Sequence, residues 1–203
     1  MISPEYTPKL SRQAVLKILE EQGLHLKNEP LILLGIRGYY LNDMGEKGKN
    51  DRAIYDDAFF WVTETDFISY NGNTDPSKYR IGYGFGRKKG MACLKTGIWR
   101  YKLGIHNISK SPSKQYPAFV QAQEVTVLRD GMPNYDDIGY FGINIHRGAT
   151  LHTSSAGCQT VPNEQWASFR SFGYAKFKQY GLRSFPYCLV EKIGDKFGIF
   201  DSN

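Results

Sequence analysis

Residues 139–166 read GYFGINIHRGATLHTSSAGCQTVPNEQW: an apolar, aromatic run, a span rich in Gly, Ser and Thr, and a proline that opens a helical pattern. The run 140–146 has the composition of a buried strand. The sequence therefore predicts a strand ending at His146, a loop over 148–157, and a turn that delivers Cys158. Pro162 falls in the first turn of a helix containing Trp166, Phe169 and Phe177, and Gly181 closes that helix. A strand, a loop and a helix thus follow one another in one short segment, with an imidazole at one end of the loop and a thiol at the other.

Working outward, strands dominate. Apolar runs bounded by turn residues predict strands over 30–36, 58–63, 67–70, 98–104, 120–128 and 185–193. Ser11 opens a short amphipathic helix, about 11–22, with Val15, Ile18 and Leu19 on one side and Gly23 where a terminating glycine belongs. The expected class is α+β, mainly β, built as a single domain over 1–203 with an N-terminal helix and a helix after Cys158. Repeats, low-complexity tracts and interdomain linkers are absent from the sequence.

The residue types define a chemistry. A cysteine is a strong nucleophile only as thiolate, and a neighbouring imidazole lowers its pKa and later protonates the leaving group. Gly157 lacks a Cβ, so a substrate carbonyl can approach the main chain, where the N–H groups of Gly157 and Cys158 would form an oxyanion hole. Cys158 lies in a polar glycine-rich turn. Cys93 and Cys188, in MACL and PYCLV, have the apolar neighbours of buried structural cysteines. His106 and His152 are rivals to His146 for the role of base, and His25 reads as structural.

The pattern His146-Arg-Gly148, a short loop, then Ser155-Ala-Gly-Cys158 resembles the signature of the L,D-transpeptidase (YkuD-like) catalytic domain, of a type found in phage and prophage proteins. Upstream, Lys95-Thr-Gly-Ile-Trp99 is similar to the Thr-Pro-x-Gly-x-Phe segment of that family, and the resemblance runs from about Leu94 to Trp166. It implies a β-rich catalytic domain, with a core over about 94–166, acting on bacterial peptidoglycan stem peptides through a thioacyl enzyme. Cys158 would be nucleophile, His146 base, and Ser155 and Gly157 supports of the catalytic loop. Arg147, Gly148 and Trp99 would contact substrate.

Two departures from the family stand out. The family usually carries a basic residue two positions after the cysteine, whereas this chain has Gln159 and then Thr160, and His146 and Cys158 are only twelve positions apart. Arg37 is the candidate to replace the missing cation at a substrate carboxylate. A lytic, endolysin-like peptidase is the leading expectation. A transferase that forms or exchanges peptide bonds, and a phage structural or wall-binding protein with an inactive site, are the alternatives.

Composition sets the remaining bounds. With 41% hydrophobic and 14% aromatic residues, 203 residues bury a substantial core. No apolar stretch has the length of a membrane helix, and the start MISPEYTPKLSRQ lacks a signal peptide's basic segment and apolar core. Synthesis in the cytoplasm and action at the bacterial wall after release are expected. Three cysteines, one of them reactive, do not make a disulfide framework. The net charge of +6 is scattered apart from Arg87-Lys-Lys89, so no nucleic-acid stripe is read, and nothing fixes an oligomeric state.

No cofactor or metal is expected. A zinc site from Cys158, His146 and His152 lacks paired-cysteine or His-Glu-x-x-His spacing. The acids Asp43, Glu46, Asp51, Asp56 and Asp57 in a glycine-rich loop do not follow EF-hand spacing. The run 82–89, GYGFGRKK, reads as a flap or turn rather than a phosphate loop, because no strand precedes it and no helix follows.

Overall fold

The computed structural model describes residues 2–84 and 90–192; the basic triplet 87–89 and most of the 82–89 run lie outside them. In chain order the elements are α1 (Arg12–Glu21), β1 (Ile32–Arg37), β2 (Asp57–Val62), β3 (Phe67–Gly72), β4 (Ala92–Leu94), β5 (Gly97–His106) and β6 (Tyr116–Gln121). They continue with β7 (Val125–Arg129), β8 (Tyr135–Gly139), β9 (Ile145–Arg147), β10 (Gln159–Val161), α2 (Asn163–Gln179) and β11 (Phe185–Glu191).

Eight strands form one mixed sheet in the order β10-β9-β6-β5-β11-β1-β2-β3, while β4, β7 and β8 make a small antiparallel sheet. The large sheet curls until its edges meet: Asn73, just past β3, exchanges two backbone hydrogen bonds of 2.8 Å with Thr160 of β10. Among the described residues the protein is therefore mainly β, with a nearly closed barrel-like sheet and two α-helices.

Helices cover both faces of β1 and β2, which explains why those strands read as continuous apolar runs, ILLGI and AFFWV, rather than alternating ones. On one face Leu33, Phe59 and Trp61 join Tyr101, Phe119 and Tyr187 under Trp166, Phe169 and Phe177 of α2. On the other, Ile32, Leu34, Ile36 and Phe60 pack under Val15, Ile18 and Leu19 of α1. Gly173 lets α2 come close: a Cβ there would lie 2.6 Å from the rings of Trp61 and Phe119. Ser11 caps α1 by accepting a 3.1 Å hydrogen bond from Ala14 N–H. Among the described residues no helix is long and apolar enough to cross a membrane.

Two expected strands need correction. The run 120–128 is not one strand but the end of β6 and most of β7, which belong to different sheets. The run 140–146 is strand only from Ile145. One side chain accounts for both changes. Gln121, buried at the break, donates Nε2–H to Gln123 O and Gly139 O, and its Oε1 accepts from the backbone N–H groups of Phe141 and Ile143. Those backbone groups are satisfied without a ladder, and Gly142 at φ +70° turns the chain between them. Residues 140–144 thus become an irregular wall instead of sheet. Three short strands, β4, β8 and β10, went unread, and Ile193, the last residue of the run 185–193, lies outside the described residues.

Candidate functional site

The site forms where three neighbouring strands end. His106 closes β5 and pairs across the ladder with Tyr116 of β6. β6 also pairs with β9, which carries His146. β10 runs parallel to β9, with Gln159 opposite Ile145 and Gln159 N–H donating to Asn144 O at 2.9 Å. That pairing sets Cys158, one residue before β10, beside Asn144. One ring nitrogen of His106, one of His146 and Cys158 Sγ lie within 4.8 Å of one another.

The loop 148–158 is held by its own polar groups. Ser155 Oγ donates to Cys158 O at 2.7 Å and accepts from Gly157 N–H at 3.0 Å, while Ser155 N–H donates to Ser77 Oγ at 2.8 Å. Tyr55 Oη donates to Ala149 O at 2.9 Å, and a Cβ on Gly148 would overlap that hydroxyl. Gly157 adopts φ +147°, with its Cα facing the carbonyl of Ala92 too closely for a side chain. Its N–H is taken by Ser155. Of the two donors expected for an oxyanion hole, Cys158 N–H is the one with no protein partner among the described residues.

The imidazole is oriented from behind. His146 is buried, and its Nδ1 lies 2.6 Å from Arg147 O. A carbonyl only accepts, so Nδ1 carries the proton and Nε2 holds the lone pair. Tyr116 Oη approaches the same Nδ1 at 3.1 Å, and the Arg147 guanidinium lies over the Tyr116 ring, 4.5 Å from its centroid. Burial, aided by His106 and by the charge of Arg147, brings the His146 pKa down to about 3. His106 stacks on it, with ring centroids 3.9 Å apart, and burial takes that pKa down to about 4.

The thiol departs from expectation. Burial pushes Cys158 up to about 11, against the opposing pull of the Asn144 backbone N–H facing the sulfur. Its S–H donates to Gly142 O at 3.3 Å. In a recessed site neither the thiolate nor the imidazolium is well solvated, so burial favours the thiol and the neutral imidazole at rest.

Each member of the pair lines its own hollow. Cys158 lines one of about 540 Å³ with Ala92, Arg129, Tyr140, Phe141 and Ile143. His106 and His146 line another of about 570 Å³ with Tyr116, Arg147, Gly148 and Asn163. The first is walled by the irregular segment that Gln121 creates.

Other expected site residues lie elsewhere. Arg37 is buried in a separate hollow with Cys93, where its Nε is 3.3 Å from Asp75 Oδ1 and its Nη2 donates to Thr74 O and Leu94 O. Its guanidinium is engaged by internal acceptors, away from the Cys158–His146 pair. Trp99 lines neither hollow; its Nε1–H donates to Lys95 O at 2.9 Å and its ring packs against the core. Cys93 has a polar partner that its apolar neighbours concealed, donating to Asp75 Oδ1 at 2.9 Å. His152 is exposed beside Ser77 and Arg80 in another hollow, so His106 takes the place beside the pair. Gln159 and Thr160 point inward: Gln159 accepts from Tyr187 Oη, and Thr160 closes the barrel. The acids near residue 50 tie backbone, with Asp51 N–H on Asp56 and Gly38 N–H on Asp57.

Sequence reading missed Asn144, Tyr116 and Gln121. A glutamine interrupting the apolar run PAFVQA was the one local signal. No known protein-family profile, curated protein or solved structure matches this chain.

Proposed function

We propose that the protein is a cysteine-dependent acyl-transfer enzyme of L,D-transpeptidase-like type, acting on peptidoglycan stem peptides chiefly as a lytic peptidase. The observation that carries this reading is the Cys158–His146 pair, within 4.8 Å, with His146 Nδ1 anchored on Arg147 O and the pair set between two open hollows. The family signature and the bacterial-wall substrate rest on the motif resemblance; the geometry supports the chemistry.

In the proposed cycle a substrate carbonyl approaches Sγ from the first hollow. The thiol proton passes to His146 Nε2 as the S–C bond forms, and the oxyanion is stabilised by Cys158 N–H. Collapse breaks the C–N bond, and the departing amine takes its proton from His146. Water entering through the polar hollow then loses a proton to His146 as it attacks the thioester carbonyl, and the departing Cys158 sulfur takes that proton back as the C–S bond breaks. An amine in place of water gives transfer. Arg147, at the rim of that hollow, is placed to meet a substrate carboxylate.

Mass analysis of purified muropeptides incubated with the protein tests the reading. Shortened stem peptides should form without any added acceptor. Exchange products that require an added D-amino acid would replace hydrolysis with transpeptidation. Co-sedimentation with cell walls in the absence of any product would replace the enzyme with a wall-binding protein.

A further inference from the structure

The thiol mechanism uses one imidazole, yet two are stacked beside the sulfur. His106 comes from a different strand, is half-buried, and has a ring nitrogen within 4.8 Å of both His146 and Cys158 Sγ. Two nitrogens from β5 and β9 and one sulfur from the loop before β10 form a donor set suited to a borderline-soft ion, above all Zn²⁺.

We propose that His106, His146 and Cys158 form a three-ligand Zn²⁺ site that masks the nucleophile. The proposal rests on the reading of Cys158 as nucleophile.

The surroundings have the features of an outer shell. Metal-bound histidines donate their other N–H to a carbonyl or similar acceptor, which fixes the tautomer. His146 does so through Nδ1 to Arg147 O at 2.6 Å, leaving Nε2 for the ion. The Asn144 amide nitrogen lies 3.2 Å from His106 Nδ1 while its oxygen accepts from Gln121 N–H at 3.4 Å, an arrangement that leaves the lone pair on Nδ1; metal binding at His106 Nε2 therefore requires the amide to turn and give up the Gln121 contact. Metal bonds of ~2.0–2.3 Å in a tetrahedron place ligand atoms ~3.3–3.8 Å apart, so the three donors need to draw together by about 1 Å.

Three protein ligands leave one position open, and the polar hollow beside His106 and His146 supplies water or a substrate group to fill it. Binding replaces the S–H proton by the ion, and the proton leaves to solvent. The sulfur lone pair needed for attack is then engaged, and His146 Nε2 no longer accepts a proton. The same atoms cannot serve both states, so the metal acts as a reversible off-switch.

Titration of the full, reduced chain with Co²⁺ and then Zn²⁺ tests this. One equivalent of Co²⁺ should give the visible bands of a tetrahedral site with a thiolate charge-transfer band, and Zn²⁺ should displace it. Zn²⁺ should protect Cys158 from alkylation and stop stem-peptide turnover, with both restored by chelation. His106→Gln should weaken binding at least about 100-fold, since loss of a ligand exceeds loss of an outer-shell partner. His106→Phe, which keeps a ring stacked on His146, serves the same purpose if the glutamine variant does not fold.

Absence of a thiolate–Co²⁺ band, or equal affinity in the His106 variants, would overturn the site. Activity that chelation removes and Zn²⁺ restores would overturn masking in favour of a catalytic metal. Normal metal binding by a protein whose metal-free form never turns over stem peptide would sink the enzymatic reading and leave the site standing.

Discussion

Cys158→Ala should reduce stem-peptide turnover to background, a loss on the order of 10⁶-fold, the scale seen when a covalent nucleophile is removed. The fold should survive, because Cys158 is only half-buried and Ser155 holds the loop through the Cys158 carbonyl rather than its side chain. The other two cysteines provide the contrast. Cys188 is fully buried under α1, so Cys188→Ala removes packing and should lower stability without reaching the site. Cys93→Ala takes a donor from Asp75, which keeps Arg37 beside it. Turnover by both variants, compared at equal folded fraction by circular dichroism, should stay close to that of the parent. Normal activity in Cys158→Ala would remove the thiol from the mechanism.

His146→Ala carries the second large effect, and its pattern separates two kinds of base. Were the thiolate formed at rest by an ion pair, alkylation of Cys158 would plateau near neutral pH. With Cys158 up at about 11 and His146 down at about 3, the thiolate fraction instead rises tenfold per pH unit until about pH 11. Removal of His146 should therefore leave that alkylation profile nearly unchanged while lowering kcat/KM by roughly 10²–10⁴. A plateau near pH 7 that disappears in His146→Ala would establish the pre-formed ion pair instead.

The same depressed pKa has a stability sign. Unfolded, His146 binds a proton below its ordinary value near 6.5; folded, it resists until about pH 3. Its contribution to stability is present above pH 6.5 and lost as pH falls toward 3. His146→Ala should accordingly flatten the acid side of the melting curve.

What the sequence discloses follows from the range of the interactions. Helix α1 was legible because its cap, its apolar stripe and its terminating glycine are all local. β1 and β2 were legible because a strand covered on both faces is apolar along its length, here at every position but the terminal Arg37 and Asp57. The short strands β4, β8 and β10 offer three to five residues each, too few for periodicity. The segment 140–144 was misread for a different reason: apolar composition reports burial, and here the backbone is satisfied by the side chain of Gln121 rather than by a neighbouring strand.

The site divides along the same line. His146 and Cys158 share one motif, and the parallel pairing of β9 with β10 brings them together. His106 is forty residues upstream by numbering, and its place beside them depends on β5, β6 and β9 being neighbours, which no local pattern encodes. Arg37 looked available because its partner, Asp75, comes from a distant segment. The cations that do line the hollows, Arg129 and Arg147, are there because residues 140–144 and the end of β9 form their walls.

The central claim is that an acyl group passes through Cys158 Sγ, and acid-quenched peptide mapping across the first turnover measures it directly. Protein mixed with stem peptide should yield a Cys158-containing peptide heavier by the acyl fragment, released by hydroxylamine as a thioester is, and absent from Cys158→Ala. Products that accumulate from the first turnover while the Cys158 peptide keeps its unmodified mass at every quench time would contradict the account.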